Sequence, residues 1–462
     1  MQRGTPDKQK QQQENFAMRT LDVTALIDGA RFNAFHWRVM CWCALLLIFD
    51  GYDLFIYGVV LPVLMKEWAL SPLQAGALGS YALFGMMFGA LFFGPLADRI
   101  GRRKGIAICF VLFSGFTVLN GLTRNPLEFG LCRFMAGLGI GGLMPNVVAL
   151  MNEYAPKRLR STLVAIMFSG YSVGGMLSAG LGIYLLPRFG WQMMFFAALV
   201  PLLLLPLVLR GLPESVGYLL RKGRQGEVRS LLRQLAPAAS ISEDDVLQLQ
   251  EPASTGMPVL ALFRDGRALR TLMLWVAFFC CLLMVYALSS WLPKLMANAG
   301  YSLGSSLSFL MALNIGAVAG AVGGGLLGDR LNLPRVVAIF FVLAALSITL
   351  LGFNSPMPML YGLIGLAGAT TIGTQILLYA CAAQFYDTAI RSTGLGWASG
   401  IGRNGAIVGP LLGGALLAIE LPLQLNFMAF AVPGAIAALA MTVFAFSARS
   451  KAPRALDGME AA

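Results

Sequence analysis

Gly94-Pro95-Leu96-Ala97-Asp98-Arg99 returns 231 residues later as Gly325-Leu326-Leu327-Gly328-Asp329-Arg330. Arg160-Ser161-Thr162 returns at the same offset as Arg391-Ser392-Thr393. Two motifs about 60 residues apart that keep one register describe a chain built as two equivalent halves. In a long apolar chain, that arrangement points to a secondary transporter, which moves a solute rather than transforming it.

Outward from the repeat, the composition agrees. Of 462 residues, 57% are hydrophobic and 12% charged, and the mean hydropathy is +0.72. Soluble domains carry about 25% charged residues. Twelve apolar stretches, each able to cross a hydrocarbon core of about 30 Å, lie near 37–62, 73–96, 104–122, 126–152, 162–186, 191–210, 270–296, 303–327, 335–353, 357–384, 392–418 and 424–447. Glycine runs such as Gly137-x-Gly139-x-Gly141-Gly142 sit inside them, where small residues let membrane helices approach closely. The expected fold is therefore an all-α polytopic membrane protein of two pseudo-symmetric six-helix halves. Its expected divisions are a cytoplasmic tail (1–36), a first bundle (37–211), a cytoplasmic linker (212–269), a second bundle (270–448) and a short cytoplasmic tail (449–462).

The net charge of +12 is a topology signal. With the N-terminus inside, lysine and arginine crowd into the inner tails and loops. Only Lys66, Arg124, Arg188 and Lys294 fall in outer loops, which places both termini in the cytoplasm of a bacterial inner membrane. Nucleic acid is not an expected partner; the lipid bilayer is. The polar, Gln-rich first 36 residues lack the apolar core of a cleaved signal. They read as a flexible extension, with the first helix as an uncleaved anchor. The linker reads as a solvated tether, with 214–235 able to form amphipathic helices on the membrane surface.

All seven cysteines lie in expected spans, and the single histidine, His36, sits at the edge of the first. Neither metal spacing nor a nucleophile–base arrangement is legible, so the chain does not read as an enzyme. No metal and no cofactor beyond a coupling proton is expected.

Three stretches narrow the reading. GPLADRIGRRK at 94–104 resembles the loop signature of the major facilitator superfamily. DGYDLFIYGVVLP at 50–62, with CRFMAGLGIGGLMPN at 132–146 and NEYAPKRLRST at 152–162, looks like the aromatic acid:proton symporter family, and most like its benzoate-type members. The resemblance spans residues 30–448. It implies a major facilitator fold, import of benzoate or a hydroxylated benzoate with protons by alternating access, and arginines matching Arg391 and Arg403. Some hydroxybenzoate-type relatives place a histidine in the stretch corresponding to 330–335; none occurs here, which favours a benzoate-like substrate.

The residues supply a mechanism. Asp50 and Asp53 lie one helical turn apart near the middle of the first span. Apolar surroundings and a second carboxylate both disfavour the charged form, which suits the pair to carry a proton. Arg133, about 10 Å into the fourth span, is at the height of Asp53 and is its expected partner. Arg403, near the middle of the eleventh span among small residues, competes with Arg133 as the anchor of a substrate carboxylate, which arginine can hold through two parallel hydrogen bonds. Tyr52, Tyr171 and Tyr379, with Phe49, Phe168, Tyr286 and Trp291, are candidate cavity walls. Asn314, Gln375 and Asn146 are candidates for reading ring substituents.

The loop motifs read as gates. Asp98 is expected to meet the N-terminus of the eleventh helix, near Arg391, and Asp329 that of the fifth, with Glu153 pairing with Arg102 or Arg103. Two other readings fit the span count: a proton-coupled exporter of drugs or other organic anions, and a transporter-like membrane sensor. A functional monomer is expected.

Overall fold

The computed structural model describes residues 20–237, 241–243, 245–249, 259–387 and 390–447, with the side chains of Ser161, Asp329 and Ser392 outside that description. Twelve helices among these residues are long and apolar enough to cross a membrane. They are α1 (Ala34–Glu67), α2 (Pro72–Ile100), α3 (Arg102–Asn120), α4 (Pro126–Tyr154), α5 (Arg160–Phe189), α6 (Gln192–Gly211), α7 (Ala268–Asn298), α8 (Leu303–Arg330), α9 (Leu333–Leu350), α10 (Met357–Phe385), α11 (Arg391–Ala418) and α12 (Leu423–Ser447). Helix α6 is interrupted by a turn between Phe196 and Leu199.

Local chemistry starts several of these helices. Asn33 and His36 form a capping box for α1, as do Ser71 and Gln74 for α2, where Pro72 occupies the first turn. His36 is thus a helix cap. The repeat seen in the motifs extends to the helices themselves. Helices α2 to α6 begin at 72, 102, 126, 160 and 192, and α8 to α12 begin at 303, 333, 357, 391 and 423, each 231 residues later.

Packing follows the same symmetry. Helix α1 lies against α5 as α7 does against α11, and α2 against α4 as α8 does against α10. The bundles join through α2–α11, its symmetry mate α5–α8, and α1–α7. These seams need close backbone approach. A Cβ on Gly58 would strike the Ser289 carbonyl of α7, and one on Gly76 the Pro410 carbonyl of α11. Ser80 Oγ donates to the Ile407 carbonyl at 2.7 Å along the α2–α11 seam. All of these contacts lie between the helix middles and the end remote from the basic loops. At the basic end, Asp98 is 60% exposed and Arg391 is exposed. The described seam contacts between the bundles thus gather toward the far end.

The linker corrects the sequence reading. Amphipathic helices form within 214–235 as expected, but the described parts of the linker dock on the first bundle instead of standing as a solvated tether. Helices Val216–Arg221 and Gln225–Leu235 turn Val216, Leu219, Val228, Leu232 and Leu235 inward onto the protein, and Val246–Gln248 pairs in parallel with Thr20–Asp22. Asn33 Nδ2 donates to the carbonyls of Gln234 and Leu235 at 3.0 and 3.1 Å. The upstream segment from Thr20 is therefore built into the fold. Of the flexible extension expected over 1–36, residues 20–36 thus belong to the fold, while 1–19 and the tail 449–462 lie outside the described residues.

Candidate functional site

Asp50 and Asp53 both lie on α1 and are 1% exposed, yet the structure gives them different surroundings. Asp53 faces the interior of the first bundle. Thr117 Oγ1 on α3 donates to its Oδ1, and Arg133 NH1 on α4 donates to its Oδ2 at 3.3 Å and to its backbone carbonyl at 3.2 Å. Arg133 is itself 2% exposed and stands over the Tyr57 ring, its Cζ 5.7 Å from the centroid. Two buried charges of this kind each require the other, because either alone would be an uncompensated ion in a low-dielectric medium.

Asp50 lies toward the seam between the bundles. Its Oδ1 has no hydrogen-bond partner. Arg403, half-buried on α11, is close enough for its charge to act on Asp50 and on the hydroxyls of Tyr171 (α5) and Tyr286 (α7). Those hydroxyls are 3.5 Å apart across the seam. One carboxylate, one guanidinium and two phenols thus converge from four helices and both bundles. Such a group can bind an anion or exchange a proton, and water or a ligand can satisfy the open Asp50 oxygen.

The other candidates divide. Tyr379 joins this region from α10, its hydroxyl 2.9 Å from Ser399 Oγ and its ring edge-on to Phe278. Gln375 is half-buried on the same helix. Asn314 is fully buried at the α5–α8 seam beneath Gly175; its Nδ2 donates to Leu310 and its Oδ1 is unpartnered. Tyr52 is placed elsewhere: its hydroxyl donates to the Met194 carbonyl of α6 at 2.7 Å, a tie inside the first bundle. Trp291 is fully buried and donates to Pro410, Phe49 packs on Phe110, and Asn146 bonds Gly142 and Phe93. These three contacts hold helices together.

At the basic end, Asp98 turns to Arg102 at 3.5 Å within its own loop instead of to α11. Arg102 also reaches Glu153, whose Oε1 accepts from Ser215 Oγ and Gly217 N at 2.9 and 3.1 Å. Arg391 donates to the Tyr386 carbonyl. The Asp329 side chain lies outside the described residues. At Arg160, where Asp329 was expected, the described partner is Asp28 at 2.7 Å.

Several of these partners were not legible in sequence. Thr117 could have been found as one of the few hydroxyls in an apolar span. Glu214, directly after α6, accepts from the Arg103 and Ser215 amides and lies against Gly101, whose φ of +101° favours glycine. Glu214→Ala is expected to loosen the linker and to speed tryptic cleavage at Arg221, Lys222 and Arg224 several-fold in membranes; an unchanged cleavage rate would contradict the docking role.

The arrangement matches known proteins. A sequence profile of the Major Facilitator Superfamily matches residues 43–332 and 314–461. The chain is 48% identical over 438 residues to the benzoate transport protein of Acinetobacter baylyi, covering 93% of this chain and 94% of that one. It is 38% identical over 403 residues to the gentisate transporter of Corynebacterium glutamicum, covering 86% and 85%. The crystal structure of a bacterial homologue of the human lysosomal transporter Spinster, inward-facing and unoccupied, superposes with a TM-score of 0.69 at 18% identity, covering 90% of this chain and 99% of that one. A two-bundle, twelve-helix architecture, the paired loop motifs and end-to-end similarity to these transporters lead to one conclusion: this multi-pass membrane protein is a transporter, not an enzyme, and belongs to the Major Facilitator Superfamily, in which it groups with the aromatic-acid transporters.

Proposed function

We propose that the protein imports an aromatic carboxylate, benzoate in the first instance, together with protons across the bacterial inner membrane, as a monomer with both termini cytoplasmic. The similarity to a benzoate transport protein supports the substrate. The observation that carries the mechanism is Asp50, buried with an open oxygen and within electrostatic reach of Arg403 from the opposite bundle. While ionised, Asp50 competes with a substrate carboxylate for Arg403. A proton on Asp50 ends that competition, so proton and anion enter together. Tyr171 and Tyr286 offer hydroxyls to the same carboxylate, and Tyr379 an aromatic wall. Asp53 and Arg133 form the second proton-sensitive element. Asp98, Arg102, Glu153, Asp329 and Arg391 form the cytoplasmic gate.

The test is uptake of radiolabelled benzoate into proteoliposomes, with an inward proton gradient imposed and then collapsed. Accumulation above protein-free liposomes is expected only with the gradient; the control matters because neutral benzoic acid crosses lipid. Uptake equal to that of empty liposomes would reject benzoate import and turn the work to hydroxybenzoates and to export.

A further inference from the structure

We propose that Tyr57 is a positioning residue that couples the Asp53–Arg133 pair to the far-end seal between α2 and α11. This rests on the reading of the protein as a proton-coupled importer. The connection is a line of direct contacts. Thr117 and Arg133 fix Asp53, and the same Arg133 guanidinium stands over the Tyr57 ring. The Tyr57 hydroxyl donates to the Ala75 carbonyl in the first turn of α2. One turn further along α2, a Cβ on Gly79 would meet Tyr57 Cε1 at 2.8 Å and Pro410 Cβ at 3.1 Å. Tyr57 and Pro410 therefore pack side by side on the Gly79 face of α2. Pro410 is in turn fixed by Trp291, which donates to its carbonyl at 2.9 Å.

The physical logic is short. An ionised Asp53 holds Arg133 in place, and Arg133 is attracted to the face of the Tyr57 ring. A proton on Asp53 removes the charge that holds Arg133. The ring then loses its cation, and its grip on α2 weakens. The seal is the two-state element that this contact biases. The charged and titratable groups facing Asp53 are Arg133 from α4 and Asp50 and Tyr52 from α1 itself, with Thr117 donating from α3. Tyr171, Tyr286 and Arg403, from α5, α7 and α11, face Asp50.

Accessibility of the seal tests the proposal. Ser80→Cys, buried at the seam in a cysteine-free background, is labelled from outside with a membrane-impermeant thiol reagent at pH 5.5 and pH 8. With Tyr57 intact, labelling is expected to be faster at pH 5.5, and Asp53→Asn to label fast at both pH values. Tyr57→Phe keeps the ring but loses the bond to Ala75. It is expected to raise labelling at pH 8 on the order of three- to tenfold, the effect of one neutral hydrogen bond, and to flatten the pH dependence. Tyr361→Phe, which loses a hydroxyl contact to Ser308 in the second bundle, controls for a merely structural effect and should keep the parent profile. A Tyr57→Phe profile equal to the parent's, or a parent profile flat with pH, overturns the proposal. Gradient-driven uptake by the parent, measured alongside, reports separately on the importer reading.

Discussion

Asp53→Asn is expected to reduce proton-driven benzoate accumulation to the level of protein-free liposomes. Asparagine cannot carry the proton between an ionised and a neutral state, so the step that ties anion movement to the gradient is lost. The mutation has a second effect that must be separated from the first. It leaves Arg133, 2% exposed, without its counter-charge. Breaking a buried pair by removing one partner costs about 3–5 kcal/mol, whereas replacing both partners is often close to neutral. The single variant should therefore melt earlier in detergent than the parent. The double variant Asp53→Asn/Arg133→Gln should recover most of that stability without recovering accumulation. Full accumulation by Asp53→Asn would end the proton-carrier role of this residue.

Arg403→Ala is expected to weaken benzoate binding about 100-fold. Hydrogen bonds to charged groups contribute about 1.5–3 kcal/mol each, a carboxylate on a guanidinium receives two, and water recovers part of the loss. A net loss of about 3 kcal/mol corresponds to that factor. Arg403→Lys keeps the charge and loses the fork, so an intermediate affinity is expected. The structure sharpens the choice between the two arginines. Arg133 is enclosed with Asp53, Thr117 and Tyr57 inside the first bundle, while Arg403 is half-buried and acts electrostatically on Asp50, Tyr171 and Tyr286. Isothermal titration of the purified variants with benzoate decides it. Unchanged affinity in Arg403→Ala, with loss in Arg133→Gln, would move the anchor to Arg133.

The twelve spans, the two halves and their register were legible in the residues because membrane helices report themselves. Each needs about 20 apolar residues, and every backbone group must be satisfied within its own helix. The 231-residue offset read from two short motifs is the offset at which helices α2 to α6 recur as α8 to α12. The carboxylates and arginines were legible for a related reason: an ionisable residue in a span is costly enough to stand out.

Two pairs were legible, Asp53 with Arg133 from their depth and Glu153 with Arg102 from the loop motifs; the other partners were not, since pairing depends on which faces of separate helices meet. Sequence spacing put Asp50 and Asp53 on one face, one turn apart. The tertiary structure gives Asp53 to α3 and α4 within one bundle and leaves Asp50 at the seam with α5, α7 and α11. Tyr52 sits between them in sequence but reaches α6. The linker shows the same limit. Its amphipathic pattern was legible, with Val228, Leu232 and Leu235 on one face of a helix, but only the folded first bundle supplies the surface that covers them. By itself the sequence determined what crosses the membrane and where charge is buried, because hydration cost is a property of each segment alone. Which groups meet across the seam between the bundles was decided only by tertiary packing, because those contacts join residues more than a hundred positions apart.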